Sequence, residues 1–371
     1  MADAYEALRT EVRRVMGGFG PDYFRTLDAE RAFPETFFTK MGELGFFGAL
    51  LPEQYGGDDA GYAAGSVIIE EINRAGGDAT TINAQMSICG TLLRDGTDEQ
   101  KARYLPGAAD GSIRFLSVAA TEADSGADMS DLESTARRDG DDWILDAKKI
   151  FISLAEHTRI VLLLVMAEEG PTVFLLDLDL DEVRASVEVR PEPMVVNRMT
   201  TAFFVDELRV PDSTRIGPAG QGLACLSKGF APRRVFAAAE CIGNARFLLD
   251  RSLEHARTRE TFGRKIGSNQ GVQYPLAQAH TKVEGADLMR WDALRAIGEK
   301  NDAGPRSAMA KLLASEACWE TGRAALTAFG GWGLSSEMHI ELKVRESMVF
   351  VFNNMLWSYV AQKSLGLPKA F

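Results

Sequence analysis

What most constrains this chain is that its texture changes twice. From Ala2 to about Ile113 apolar residues recur at helical spacing, broken at Gly17-Gly18, Phe33-Pro34, Tyr55-Gly56-Gly57 and Gly76-Gly77. From about Arg114 to Val210 the pattern turns to short β-rich runs: Phe115-Leu116-Ser117-Val118, Trp143-Ile144-Leu145, Ile160 to Met166, Val173 to Leu176 and Ala202 to Val205. From Gly222 onward helical periodicity returns in long segments, interrupted at Asp302-Ala303-Gly304-Pro305 and Phe329-Gly330-Gly331-Trp332-Gly333. This order predicts an α+β multidomain protein with an all-α domain over 1–113, a β domain over 114–215 and a helical bundle over 216–371.

Within the last part, Arg234 to Gln270 is a long helical pattern closed by a basic, glycine-punctuated turn. Val235, Ala238, Ile242, Ala245, Leu248 and Leu249 give it an apolar face. At its end Arg257, Arg259, Arg264 and Lys265 surround Phe262-Gly263. Guanidinium forks suit a diphosphate, although cations at a helix C-terminus also favour the dipole without any ligand.

Composition narrows the partners. With 371 residues, 46% hydrophobic and 25% charged, the chain can bury a large core, and a net charge of −12 argues against nucleic acid and anionic membranes. The four cysteines lie far apart in sequence with no CxxC pair, so neither a disulfide framework nor a metal site is expected. The N-terminus has no h-region, and the run from Ile160 is too short to span a bilayer, so a cytoplasmic location is expected. Asp177 to Val183, DLDLDEV, lacks the glycine of a calcium loop and reads as an acidic strand edge. The four histidines read as surface or helix-end residues. No common nucleophile, zinc or phosphate-loop motif is present, which leaves redox chemistry to a cofactor.

Several strings resemble the acyl-CoA dehydrogenase family, in matching order over nearly the whole chain. Arg257 to Gly263, RTRETFG, followed by Gln270, resembles the FAD-contacting signature of that family's C-terminal domain. Ala120 to Leu132 resembles the loop whose threonine, here Thr121, meets the flavin ring. Ala147 to Arg159 resembles the segment whose aromatic residue and hydroxyl, here Phe151 and Ser153, meet the ring and its N5 edge. Read without the family, both are polar turns between strands. Gly330-Gly331-Trp332-Gly333 resembles the turn beside the adenosine diphosphate half of FAD, where missing Cβ atoms let backbone approach phosphate. The resemblance implies a helical domain, a middle β-barrel or sandwich and a C-terminal four-helix bundle. It also implies FAD, a homodimer or homotetramer, and hydride transfer from an acyl thioester to flavin, with a flavoprotein or oxygen as final acceptor.

The departures concern the base and the substrate. The usual catalytic glutamate falls on Asn354, and an alternative glutamate site falls on Arg233. An amide is no general base at neutral pH. Glu240, two helical turns from Arg233 on the same face, is either a relocated base or a partner of Arg246. A family serine is Ala127, and a glutamine that reaches a neighbouring subunit's FAD is Thr327. An aspartate that helps hold CoA is Ala231, a loss shared with relatives that take substrates from carrier proteins. Arg233 and Arg234, with Lys228, would suit a phosphopantetheine phosphate or an acidic carrier. The expectation is therefore oxidation of a carrier-bound or CoA-bound acyl thioester. The alternatives are a catalytically silent subunit completing a neighbour's FAD site, and a flavin monooxygenase on the same fold.

Overall fold

The computed structural model describes residues 2–126, 129 and 131–369. The first helices are α1 (Glu6–Met16), α2 (Pro21–Glu30), α3 (Glu35–Glu43), α4 (Gly61–Arg74), α5 (Thr80–Asp95) and α6 (Asp98–Asp110). Their breaks fall at the glycine and proline pairs. Helix α6 starts on a capping box in which Thr97 accepts the Gln100 N–H and the Gln100 side chain accepts the Thr97 N–H.

Next come β1 (Phe115–Ala119), β2 (Thr135–Asp139), β3 (Asp142–Ser153), β4 (Ile160–Ala167) and β5 (Gly170–Asp177). The short helix α7 (Asp181–Ala185) precedes β6 (Val187–Pro191), β7 (Thr200–Pro211) and β8 (Arg215–Ile216). They form one sheet in the order β6-β7-β3-β2-β4-β5-β8, mainly antiparallel, with β1 parallel to β4. The acidic strand edge expected at 177–183 does not form. Asp177 closes β5, and the following acids start α7 instead of extending a strand. Asp177 is buried and takes both Arg159 nitrogens at 2.9 Å, so it is a structural anchor.

The remaining chain forms α8 (Gly222–Lys228), α9 (Phe230–Thr258), a hairpin of β9 (Glu260–Thr261) and β10 (Arg264–Lys265), α10 (Gln270–Gly298), α11 (Gly304–Phe329), α12 (Ile340–Met348) and α13 (Asn354–Leu365). The chain divides into two compact units. One comprises residues up to Glu30, Tyr62–Ala79 and Ala231 onward; the other comprises Arg31–Gly61 and Thr80–Phe230. The helices of the first 113 residues are thus shared between the units.

The sheet unit buries alternate strand residues such as Leu145, Val161, Leu163, Phe174 and Phe203 in one core. In the helical unit the apolar faces of α9, α10 and α11 share another, built from Val235, Ile242, Leu249, Val283, Cys318 and many alanines. Small residues let backbones approach. At Gly243 a Cβ would lie 2.3 Å from the Glu70 carbonyl oxygen, so only glycine lets α9 cross α4 there.

The same crossing carries a buried charge cluster. Glu70 is fully buried and accepts from Arg290 at 2.7 Å, from Arg9 at 3.1 Å and from Arg246. Arg13 and Arg9 also engage Glu71. His339, expected at a surface or helix end, does cap α12 but is buried: its Nε2–H donates to the Gly76 carbonyl at 2.9 Å. The reason is tertiary, since the 76–77 turn supplies an acceptor that no local pattern shows.

Candidate active site

In the sheet unit the register between β3 and β7 slips. Lys149 pairs with Phe203 and Ile152 with Thr201, so β3 carries one extra residue. That is a β-bulge, and it contains Phe151 with φ of +56°, a left-handed conformation that a bulky residue rarely adopts. Phe151 is 56% exposed, an aromatic ring turned out of the sheet. The Ile150 N–H donates to the Thr121 carbonyl at 3.0 Å, which draws Thr121 beside the bulge, and the Ser117 hydroxyl donates to the Ser153 carbonyl at 2.8 Å. The structure therefore brings Thr121, Phe151 and Ser153 together around one strand end. Ala127 lies outside the described residues.

Two further residues beside Thr121 and Phe151 lie in the strings that resemble the family, yet sequence reasoning assigned them no role. Lys149, fully buried, donates to Glu122 at 2.5 Å and to the Ala120 carbonyl at 3.3 Å. Glu122, 5% exposed, also accepts the N–H groups of Glu133 at 2.6 Å and Ser134 at 3.1 Å. Burial pushes the Glu122 carboxyl up, but the hydrogen bonds from Lys149 and the 133–134 segment outweigh it and hold it below the usual range. The available signal was a lysine at an inward position of a strand whose neighbours Ala147 and Ile152 are core.

In the helical unit, α9 ends at the β9–β10 hairpin, whose tip is Phe262-Gly263 with φ of +52° and +75°. Two consecutive positive φ values define a tight hairpin turn. Phe262 is fully exposed and Arg259 is exposed, with no salt bridge to its guanidinium among the described residues. The basic cluster is smaller than expected: Lys265 pairs with Glu260 at 2.6 Å and Arg264 donates to Asn269 at 2.8 Å. His255, in the last turn of α9, stacks on Phe329 at the end of α11. Just beyond, Gly330 has φ of +59°, and neither Gly330 nor Gly331 has any atom within 4 Å of a would-be Cβ. Gln270 opens α10 and is exposed.

Asn354, where a glutamate is usual, is the exposed first residue of α13. Its neighbour Asn353 is buried, accepts from Lys311 and donates to the Ser315 hydroxyl at 2.7 Å. Lys311 also donates to the Phe350 carbonyl at 2.7 Å, tying the chain before α13 to α11. Burial pushes its ammonium below the ordinary value. Glu240 is buried midway along α9, while Arg246 engages Glu70, Glu284 and Asp287. Arg233 is exposed, but Arg234 lies over the Tyr359 ring at 4.6 Å. Lys228 pairs with Asp95 at 2.5 Å. Tertiary partners thus occupy Lys228 and Arg234 of the expected basic trio, while no ion pair to Arg233 is found among the described residues.

A dinucleotide carrying a flavin offers a flat apolar ring and a diphosphate. The out-turned Phe151 beside two hydroxyl residues fits the first. The Arg259 guanidinium and the open glycine backbone at 330–331 fit the second.

Comparison with known proteins identifies the family. The chain matches the N-terminal domain of acyl-CoA dehydrogenase over residues 2–112, the middle domain over 117–205 and the C-terminal domain over 220–352. This protein belongs to the acyl-CoA dehydrogenase family and is a flavoprotein oxidoreductase whose cofactor is FAD. It is 34% identical to the acyl-CoA dehydrogenase FadE12 of Mycobacterium tuberculosis, over 99% of this chain and 97% of that protein. Among solved structures it resembles a glutaryl-CoA dehydrogenase in complex with glutaryl-CoA, with TM-score 0.91, 26% identity, and coverage of 100% of this chain and 97% of that one. It also resembles the prolyl acyl carrier protein oxidase AnaB, with TM-score 0.89, 25% identity, and coverage of 98% and 100%. No helix among the described residues is long and apolar enough to cross a membrane.

Proposed function

We propose that this protein oxidises an acyl thioester presented by a carrier protein, with the flavin ring against Phe151, Thr121 and Ser153. Bound FAD supplies the two-electron acceptor. Phe151 packs on the ring, and the hydroxyls of Thr121 and Ser153 donate to its polar edge. Arg259, Phe262, Gln270 and the 330–331 backbone meet the diphosphate half of a cofactor held by a second copy in a homodimer or homotetramer. Full exposure of Phe262 supports that, since an isolated chain gains nothing from a bare aromatic tip.

The observation that carries the carrier reading is the head of α9. Ala231 stands there in place of an acid, and Arg233 is exposed on the same turn. A carrier brings its own, typically acidic, surface, so a cation there speeds encounter. The likeness to a carrier-protein oxidase supports the same reading. Presenting one acyl group on CoA and on carrier proteins, and following flavin reduction across ionic strengths, tests it. Faster reduction from a carrier, with a salt-dependent loss in Arg233→Glu, is expected; equal rates from both overturn it.

A second reading, a silent subunit of a hetero-oligomer, is favoured by Asn354 and by Thr327, whose hydroxyl donates to the Arg323 carbonyl at 2.9 Å and so turns back on its own helix. Simple saturated acyl-CoAs are then poor substrates on either reading. Asn354→Glu separates them: in a working subunit it raises flavin reduction by about a hundredfold or more, while a silent subunit gains nothing.

A further inference from the structure

We propose that the buried Glu122–Lys149 pair is a positioning brace for the flavin face, fixing Thr121 and the Phe151 bulge in one geometry. The inference rests on the ring-side reading of Phe151 and Thr121 above.

Two adjacent residues of β3, Lys149 and Ile150, grip the three consecutive residues just beyond β1. The Lys149 ammonium donates to the Ala120 carbonyl and the Glu122 carboxylate, and the Ile150 N–H donates to the Thr121 carbonyl between them. Thr121 is therefore held from both sides. The carboxylate reaches further. Its second oxygen takes the Glu133 N–H and the first also takes that of Ser134, so the far end of the β1–β2 connection is pinned to the same atoms. Ser134 in turn accepts the Lys148 N–H at 3.2 Å, which closes the loop of contacts back onto β3.

A buried ion pair contributes little net stability against apolar replacements of similar volume, and the cost of desolvating both charges must be met. What such a pair does is select one arrangement, because every donor and acceptor has a single satisfying position. Here the arrangement selected is an unfavourable one. Phe151, two residues beyond Lys149, keeps φ of +56°, and such a conformation persists only where surrounding contacts over-determine it. The brace is immediately adjacent, and it spends two buried charges on a strand whose other inward residues are apolar.

The test compares Glu122→Gln/Lys149→Met, which leaves no buried charge, with Lys149→Met alone and with Arg137→Ala. Arg137 makes an exposed pair with Glu207 at 2.8 Å on the same sheet and serves as the control. Apoproteins are titrated with FAD, and the absorption and visible circular dichroism of the bound flavin are recorded beside far-ultraviolet circular dichroism and melting temperature. We expect a folded double variant with about ten- to a hundredfold weaker FAD binding, by analogy with what loss of hydrogen-bonded support costs a metal site, and an altered flavin spectrum. Arg137→Ala should match the parent protein. A double variant with parental FAD affinity and spectrum overturns the proposal, whatever its melting temperature. Phe151→Ala distinguishes the two levels. If it changes the flavin spectrum while the double variant does not, the brace fails and the ring-side reading stands. If Phe151→Ala changes neither affinity nor spectrum, that reading fails and takes the brace with it.

Discussion

The imidazole of His255 lies almost flat on the ring of Phe329, with centroids 4.2 Å apart and planes 11° from parallel. One residue lies in the last turn of α9 and the other ends α11, so a single stack ties the base of the Arg259 hairpin to the Gly330 turn. Burial, reinforced by Arg259 and then Arg251, pushes the His255 pKa down and keeps the ring neutral for stacking.

Arg259→Ala should lose flavin while the chain keeps its fold. The exposed guanidinium contributes nothing to the chain's own core, so its loss should change unfolding free energy by less than about 0.5 kcal/mol. A charged bidentate contact to phosphate is worth about 1.5 to 3 kcal/mol, roughly ten- to a hundredfold in affinity. Flavin content and urea denaturation of one preparation check both halves. Undiminished flavin would remove Arg259 from the cofactor site.

Phe151→Gly should move stability and binding in opposite directions. Glycine adopts φ of +56° without a Cβ clash, relieving about 1 kcal/mol in the apoprotein. The lost aromatic packing, about 0.5 to 1.5 kcal/mol, should weaken FAD up to about tenfold. Denaturant midpoints of the apoprotein and FAD titrations measure each; a destabilised apoprotein would mean that the bulge carries no strain.

Glu70→Gln should cost about 3 to 5 kcal/mol, because it strips the buried Arg290 of a charge partner. Burial pushes the Glu70 carboxyl up, yet Arg290, Arg246 and Arg9 together hold it far below its ordinary 4.5. A depressed carboxyl contributes stability that is complete above 4.5 and lost as pH falls below it. Chemical denaturation across acid pH should show that limb in the parent protein and a flatter one in the variant. Parallel limbs would show that Glu70 is not the group being titrated.

His339→Asn should flatten a different pH window. Burial first, and then Lys343, push the His339 pKa down to about 4 from 6.5. The neutral ring therefore contributes about 3 kcal/mol of stability above 6.5 that is lost as pH falls toward 4. Asparagine tolerates the left-handed φ of +59°, so the variant should fold. An imidazole that titrates near 6.5 by NMR would contradict the burial.

The layered order of helices, strands and helices was legible, because period, glycine breaks and chain direction are local properties. The candidate site could be read only where family motifs suggest it, as at Thr121, Phe151 and Arg259. The bulge was not, since the residues from Ala147 to Ser153 become a bulge only through their register against β7. Partnerships set by tertiary distance were equally hidden. Lys228 finds Asp95 across 133 residues and Arg246 finds Glu70 across 176, and sequence alone names neither partner. The DLDLDEV segment misled because alternating leucines suggest a strand, while Arg159 stops it at Asp177 and the acids beyond favour a helix start.

The charge cluster at Glu70 has a consequence for biosynthesis. Arg246 and Arg290 leave the ribosome some 176 and 220 positions after the acid they neutralise. Until then α4 carries two carboxylates facing Arg9 and Arg13 alone. The segments of the sheet unit, Arg31–Gly61 and Thr80–Phe230, have by that time all been synthesised. The order of synthesis therefore lets the sheet unit close first on the nascent chain, whereas the opening segments of the helical unit meet their partners only when the chain from Ala231 onward emerges.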